Sequence, residues 1–272
     1  MNRKKTCGTV AVALTALMGL ILPMAHAVPV SMELVMLSDI SVSVDFDDFV
    51  LQRSGYENAF RNPAVIDAIE SSGPIAVTWV LWAMEQEQVV PWTLLTDASD
   101  SNGFADAIAA TGRPWLLNQT GIADALDFGA SLFANNGFEG QRRVIDIAGD
   151  GAESVLSEYY DPISPAVQTA RDNALNNLGV TSINALWIEN PPWFGTDPGD
   201  TINCLDYGTN NVIGGLNAFQ IVVEDFEDFS PAITSKVLGE FLNGPAVPEP
   251  TCLALLAIAL AALQVSRKRA RA

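Results

Sequence analysis

The chain reads as an α/β protein, a doubly wound, mainly parallel sheet flanked by helices, and three observations predict it. The runs 75–83, 144–148, 180–188 and 218–223 are β-branched or near-continuously apolar, as expected for strands covered on both faces. Stretches with helical apolar spacing separate them, the order of βαβ units. The segment from Val28 to Val247, about 220 residues, can bury one sheet and contains no internal repeat or low-complexity linker.

Taken in order, the apolar run 32–37 is the first strand. Asp45 is placed to N-cap the first helix, with Asp47 and Asp48 in its first turn where acidic charge suits the helix dipole. Phe46, Phe49, Val50 and Phe60 supply its apolar stripe. Strand 75–83 carries Trp79 and Trp82, which read as core, as does Trp187 in strand 180–188. Residues 89–95 read as an edge strand broken by Pro91. Ile122, Ala125, Leu126, Gly129, Leu132 and Phe133 mark a second helix. Ser164-Pro165 opens a third, which runs through Val167, Ala170, Ala174 and Leu178 and stops at Gly179. Phe226, Phe229, Ile233, Val237 and Phe241 line a last helix.

The two ends read as targeting segments. Arg3-Lys4-Lys5, the apolar stretch 10–22, Pro23 and the small-x-small triplet Ala25-His26-Ala27 form a cleavable secretory signal, residues 1–27. At the other end Val247-Pro248-Glu249-Pro250 precedes an apolar run, 251–265, and a tail with Arg267, Lys268, Arg269 and Arg271. That is a transmembrane segment with a basic cytoplasmic stop, shorter than the roughly 20 residues of a permanent span. The box, run and tail at 247–272 resemble the PEP-CTERM sorting signal of Gram-negative bacteria that make exopolysaccharide. The resemblance implies transient inner-membrane insertion, cutting by an exosortase-type sorting protease, and a final place on the envelope, at the surface or in the matrix. A plain tail anchor is the alternative.

Removing both ends removes His26, the only histidine, and leaves Cys204 as the only cysteine. His-dependent nucleophiles, a His general base, His-ligated zinc and an intramolecular disulfide are thereby excluded from the mature segment 28–246. Of the 32 acidic and 14 basic residues, one acidic and seven basic lie in the two ends, which leaves 31 against 7 between Val28 and Val247. Nucleic acid is excluded as a partner by that charge.

Three loops carry candidate chemistry. Asp39-Ile40-Ser41-Val42-Ser43 lies at the carboxyl end of the first strand, where one carboxylate and two hydroxyls at alternate positions can curl around one point. These are hard oxygen donors suited to Mg²⁺, although Asp and Ser also make ordinary strand-to-helix turns. Asn118-Gln119-Thr120-Gly121 opens the second helix, so Thr120 is either a helix cap or a site hydroxyl. Asp150, between Gly149 and Gly151, is either a turn residue or a site carboxylate.

Together the three loops resemble the von Willebrand factor type A domain and its metal-ion-dependent adhesion site (MIDAS). The family pattern is Asp-x-Ser-x-Ser after the first strand, a Thr in a later loop and an Asp after the fourth strand. The stretches 41–56 (SVSVDFDDFVLQRSGY), 120–133 (TGIADALDFGASLF), 142–151 (RRVIDIAGDG) and 210–215 (NNVIGG) are most similar to a bacterial branch of unknown function. The resemblance covers most of the chain between Met32 and Phe241 and implies a von Willebrand A / Rossmann-like fold. It implies that Ser41, Ser43 and Thr120 coordinate Mg²⁺ (or Mn²⁺) directly, while Asp39 and Asp150 hold it directly or through water. Ala148, Ala152 and Glu153 stand where the branch commonly has a Ser or second Asn, so the ligand set ends at Asp150.

The expected function is a secreted, non-enzymatic binding or adhesion module that captures an acidic group of a protein or acidic polysaccharide through the ion. A metal-dependent hydrolase using the same site is the alternative, disfavoured by the missing His base and by the weak effect of Mg²⁺ on the pKa of bound water. Nucleotide binding at Gly149-x-Gly151 is weaker still, because position 154 is Ser and no P-loop lysine exists. Trp193, in a Pro-rich loop, is either packed or an exposed contact for a partner or glycan, and Cys204 reads as a small buried residue.

Overall fold

The computed structural model describes residues 27–115, 119–155, 161–189, 192–193 and 201–242. The expected secretory signal, save Ala27, and the expected sorting signal from Val247 onward lie outside the described residues. Among the described residues no helix is long and apolar enough to cross a membrane.

A seven-stranded sheet forms the centre, in the order β3-β2-β1-β4-β5-β6, with β7 also paired to β5. The strands are β1 (Val28–Asp39), β2 (Ile75–Trp82), β3 (Gln86–Leu95), β4 (Phe138–Gly149), β5 (Ser182–Ile188), β6 (Gly214–Gly215) and β7 (Gln220–Val223). β1 pairs parallel with both β2 and β4, and β5 pairs parallel with β4 and β7. Only β3 and β6 run antiparallel to their neighbours. The middle of the sheet, β1, β2 and β5, is buried almost throughout, which is why these strands are written in continuous apolar residues rather than alternating ones.

Helices cover both faces. On one side α1 (Phe46–Arg61), α2 (Pro63–Ser72), α3 (Ala98–Ala110) and α7 (Phe229–Leu242) pack over Met32, Leu34, Met36, Trp79 and Leu81. On the other, α4 (Ile122–Ser131), α5 (Pro165–Asn177) and α6 (Cys204–Tyr207) cover Val35, Leu37, Val80, Trp82, Ile145 and Ile147. Alternate β1 residues therefore feed opposite cores, as the two-residue period of a strand requires.

Several expectations are met in detail. Asp45 caps α1, its Oδ1 accepting from the amides of Asp47 and Asp48 at 2.8 and 3.0 Å, and the Asp48 carboxylate returns to the Asp45 amide. Ser164 caps α5, and Gly179 beyond its end has φ +76°, a backbone conformation suited to glycine. Trp79, Trp82 and Trp187 are fully buried.

Others are corrected. β3 is not broken at Pro91: it runs from Gln86 to Leu95, tolerating the exposed proline because it is an edge strand, with register shifts against β2 around Trp79. β4 begins at Phe138, six residues earlier than the apolar run suggests, because its first half alternates half-buried and exposed positions along the exposed end of β1. Of the two readings of Trp193 the packed one holds: it lies edge-on to Trp187 and Tyr207 with centroids 5.2 and 5.7 Å away, and its Nε1 donates to the Ile188 carbonyl at 2.9 Å. Cys204 is buried, as expected, and unbridged.

A polar cluster interrupts the core under α7. Lys236, fully buried, forms a short ion pair with Asp146 of β4 and meets Glu240 Oε1 at 3.4 Å, while Asn184 of β5 donates to Glu240 Oε2 at 2.6 Å. Burial pushes the Glu240 carboxyl up to about 7; Asp146 pushes the same way, and Lys236 opposes it.

Candidate metal centre at the carboxyl edge of the sheet

β1 and β4 are parallel neighbours and end together, so Asp39, the last residue of β1, and Asp150, just past β4, emerge side by side. The turn after β1 is set by backbone pairing: the Ile40 amide reaches the Trp82 carbonyl at 2.7 Å and the Val44 amide the Ser41 carbonyl at 3.1 Å. Asp39 Oδ1 accepts from the Ser41 amide at 2.7 Å, which folds the loop back over the carboxylate. Gln52 of α1 holds the Asp39 carbonyl at 3.2 Å from below.

The five predicted residues meet. Ser43 Oγ donates to Asp150 Oδ1 at 2.6 Å, Ser41 and Ser43 hydroxyls lie 3.3 Å apart, and Thr120 Oγ1 is 3.3 Å from Ser41 Oγ. Asp39, Ser41, Thr120 and Asp150 are buried and Ser43 is half-buried. Asp39 Oδ2 and Asp150 Oδ2 are buried with no hydrogen-bond partner. Burial and the nearby Asp150 charge hold the Asp39 carboxyl well above the usual carboxylate range. Burial, aided by Asp48, raises Asp150 to about 6 against the pull of the Ser43 hydrogen bond. Two buried carboxyls with free oxygens and no cationic side chain between them form an acceptor pair that a small divalent cation would satisfy, and three hydroxyls flank it. The residues present fit a Mg²⁺-type ion. Among the described residues no group of three or more His, Cys, Asp or Glu is placed to hold a metal ion, so the candidate centre rests on two carboxylates and three hydroxyls.

Thr120 is not a helix cap. The N-cap of α4 is Gly121, with no side-chain cap bond, and the Ala123 amide is instead satisfied by Glu153 Oε2 at 2.9 Å. Glu153 Oε1 also accepts from the Val155 amide at 2.9 Å, and burial raises this carboxyl to about 7. Ser154 clasps the Thr120 backbone from both sides, its Oγ accepting from the Thr120 amide at 2.9 Å and its own amide donating to the Thr120 carbonyl at 2.8 Å. Glu153 and Ser154 thus position the threonine loop rather than extend the ligand set. Gly121 is required for that position, because a Cβ there would lie 2.8 Å from the Ala83 carbonyl. At Gly149 a Cβ would stand 3.1 Å from Asp39 Oδ2, crowding the free oxygen.

Sequence reasoning missed Ser154 and Arg113. Arg113 Nη2 donates to the carbonyls of Ile40 and Ser41 at 2.8 and 3.3 Å, fastening the loop from outside. Its signal was available, since a basic residue is rare in this acidic segment, but nothing in the spacing ties it to Asp39. Asn118 lies outside the described residues.

With that geometry in place, the family can be assigned. A family model described as "Protein of unknown function (DUF1194)" matches residues 29–244. The chain belongs to this family. For this DUF1194 chain the comparison with curated proteins found no match. Its fold is similar to that of the PilB minor pilin from Streptococcus sanguinis, at 12% identity and TM-score 0.53, covering 84% of this chain and 65% of that one. A von Willebrand factor type A structure from Catenulispora acidiphila is similar at 12% identity and TM-score 0.52, covering 78% and 43%. So is the pilus adhesin SpaC from Lactobacillus rhamnosus GG, at 13% identity and TM-score 0.52, covering 77% and 31%. The chain spans less than two thirds of the length of each of these three. At such identities the likeness is one of fold, and the fold of this DUF1194 chain is von Willebrand A-like.

Proposed function

We propose that this protein is a metal-dependent binding module that captures an acidic group of a partner through a Mg²⁺ or Mn²⁺ ion held by Asp39, Ser41, Ser43, Thr120 and Asp150. The observation that carries the reading is the pair of buried, partnerless carboxylate oxygens, Asp39 Oδ2 and Asp150 Oδ2, in a cluster with three hydroxyls drawn from two loops. The ion would supply an electrophilic centre with an exchangeable water, since two carboxylates only just neutralise it and hydroxyls add no charge. The remaining work is done by the chain: Asp39 Oδ1 orders the Ser41 turn, Ser154 and Gly121 position Thr120, and Arg113 ties down the Ile40 and Ser41 carbonyls. The signal-like start and the PEP-CTERM-like end of the sequence support delivery to the envelope or surface, and the pilin and pilus-adhesin fold neighbours accord with such a place.

Calorimetric titration of the chain with MgCl₂ and with MnCl₂ tests the site. One ion binds saturably, and both Asp150→Ala and Thr120→Ala weaken it at least ~10-fold, the usual scale for loss of one ligand or its support. Circular dichroism of Thr120→Ala stays unchanged, because that side chain caps no helix. Parent-like metal affinity in Asp150→Ala would remove the basis of the proposal.

A further inference from the structure

The buried polar cluster under α7 is built from two strands and one helical turn. Asp146 of β4 and Asn184 of β5 are direct partners in the parallel register, so their side chains leave the same face of the sheet side by side. Lys236 and Glu240 stand one turn apart on α7 and meet them there. Lys236, Asp146 and Glu240 are each fully buried. The Lys236 Nζ is in short contact with Asp146 Oδ1 and lies 3.4 Å from Glu240 Oε1, and the Phe219 ring is centred 5.7 Å from it. Gly239 makes room for that ring, since a Cβ there would lie 2.9 Å from Phe219 Cζ.

As an ion pair the arrangement is incompletely satisfied. Asp146 Oδ2 is buried with no hydrogen-bond partner, and burial raises this carboxyl against the pull of Lys236. A buried pair recovers its desolvation cost only when its remaining atoms are also hydrogen-bonded. As reactants the same groups are well placed. A primary amine is pressed against a carboxyl group, which replaces an encounter in solution by a fixed approach. Beside both stands Glu240, anchored by Asn184 at 2.6 Å and pushed up to about 7 by burial, an acid that holds and passes protons near neutral pH.

We propose that Lys236 and Asp146 close an isopeptide bond, with Glu240 as the catalytic proton carrier. The Nζ lone pair forms a bond to Asp146 Cγ and one Cγ–O bond breaks. The ammonium nitrogen gives up two protons, which Glu240 relays to the departing oxygen, and that oxygen leaves as water. One ammonium and one carboxylate become one neutral amide and one water, so atoms and charge balance, no co-reactant is needed, and Glu240 ends as it began. In open water the separated ions are favoured; here closure removes two buried charges and returns a water to solvent. The bond ties α7 to β4, so a pull entering through the chain beyond α7 passes to the centre of the sheet instead of peeling the helix away. The ion pair and its reactive amine belong to the chain before closure. Nothing in this step uses the metal centre.

Intact mass and peptide mapping of the full chain, incubated at neutral pH after purification, test the bond. The protein weighs one water less than the residues it contains. Trypsin, which cuts after Lys and Arg, leaves Lys236 uncut, and the peptide that holds it stays joined to the one that follows Arg143. Lys236→Arg, which keeps the charge without the amine, and Glu240→Gln, which removes the proton carrier, retain the full mass while circular dichroism shows them folded. The parent decides the matter even where a variant fails to fold: a parent of full mass that trypsin cuts at Lys236 overturns the proposal, and so does a water lost at any other pair of residues. A Glu240→Gln chain bonded to the same extent as the parent overturns the part given to Glu240.

Discussion

At the scale of single residues, the centre is held in tension by atoms without partners. A buried acceptor left unsatisfied costs about 1–3 kcal/mol, and Asp39 Oδ2 is such an atom in the metal-free protein. Asp39→Asn keeps the oxygen that orders Ser41 and removes the need to bury a carboxyl. In chelator the variant melts no lower than the parent and gains up to ~2–4 °C, the shift expected for about 1 kcal/mol in a domain of this size. In MgCl₂ the parent's melting point rises and the variant's does not. Scanning calorimetry under the two conditions reads both effects, and a variant that melts lower in each would make Asp39 a structural anchor instead. Which residues converge was legible in the sequence, because Asp39, Ser41 and Ser43 sit at the end of a recognisable buried strand and Asp150 at the end of another. What held Thr120 was not: the roles of Glu153 and Ser154 depend on a loop crossing 34 residues of chain to meet them, and no local pattern encodes that.

At the scale of elements, α7 is fastened to the sheet by charge as well as by Phe229, Ile233 and Val237. Lys236 faces Asp146 on β4 and Glu240 on its own helix, with Asn184 of β5 completing the ring and Arg142 Nη1 on the Glu240 carbonyl at 2.8 Å. Removing one member of a buried pair strands the other, so Lys236→Ala destabilises by about 3–5 kcal/mol. Glu240, whose folded pKa, about 7, lies above its ordinary 4.5, contributes to the pH dependence alongside Glu153, raised to about 7, and Asp150, raised to about 6. Such a shift favours the folded state fully below 4.5 and is lost as pH rises through 7. Urea midpoints of the metal-free protein therefore fall between pH 5 and pH 8, and Glu240→Gln makes that slope shallower. A slope unchanged in Glu240→Gln would assign the pH dependence to other carboxyls. Elements with strong periodicity, such as α4 and α7, were visible in advance. The helices α2 and α3 were not, since each buries few large side chains, Val65 and Ile69 in one, Phe104 and Ile108 in the other. Their caps, Asn62 before Pro63 and Asp97 before Ser99, carried the local signal.

At the scale of the whole molecule, a segment with 31 acidic and 7 basic residues repels itself. Raising NaCl from about 10 mM to about 300 mM shortens the screening length severalfold and raises the melting temperature of the metal-free protein, as measured by circular dichroism. A melting temperature that falls with salt would mean that the surface ion pairs of Arg61 with Asp106, Arg143 with Glu139 and Arg171 with Asp172 outweigh the repulsion. The doubly wound order was legible because parallel neighbours need long crossovers, and these were visible as helical spacing. At one edge β3 was legible as an edge strand but not in its full extent, and at the other the two-residue β6 was not legible, because its pairing is set by the strand beside it.

Between residues 28 and 247 Lys236 is the only lysine, and it is sealed inside the fold. A folded surface built this way offers no side-chain amine to the outside. While Lys236 is unbonded, acylating reagents, aldehyde crosslinkers and isopeptide-forming enzymes would find a side-chain amine in this segment only once α7 has lifted from the sheet, so amine chemistry there becomes a clock for opening rather than a means of attachment.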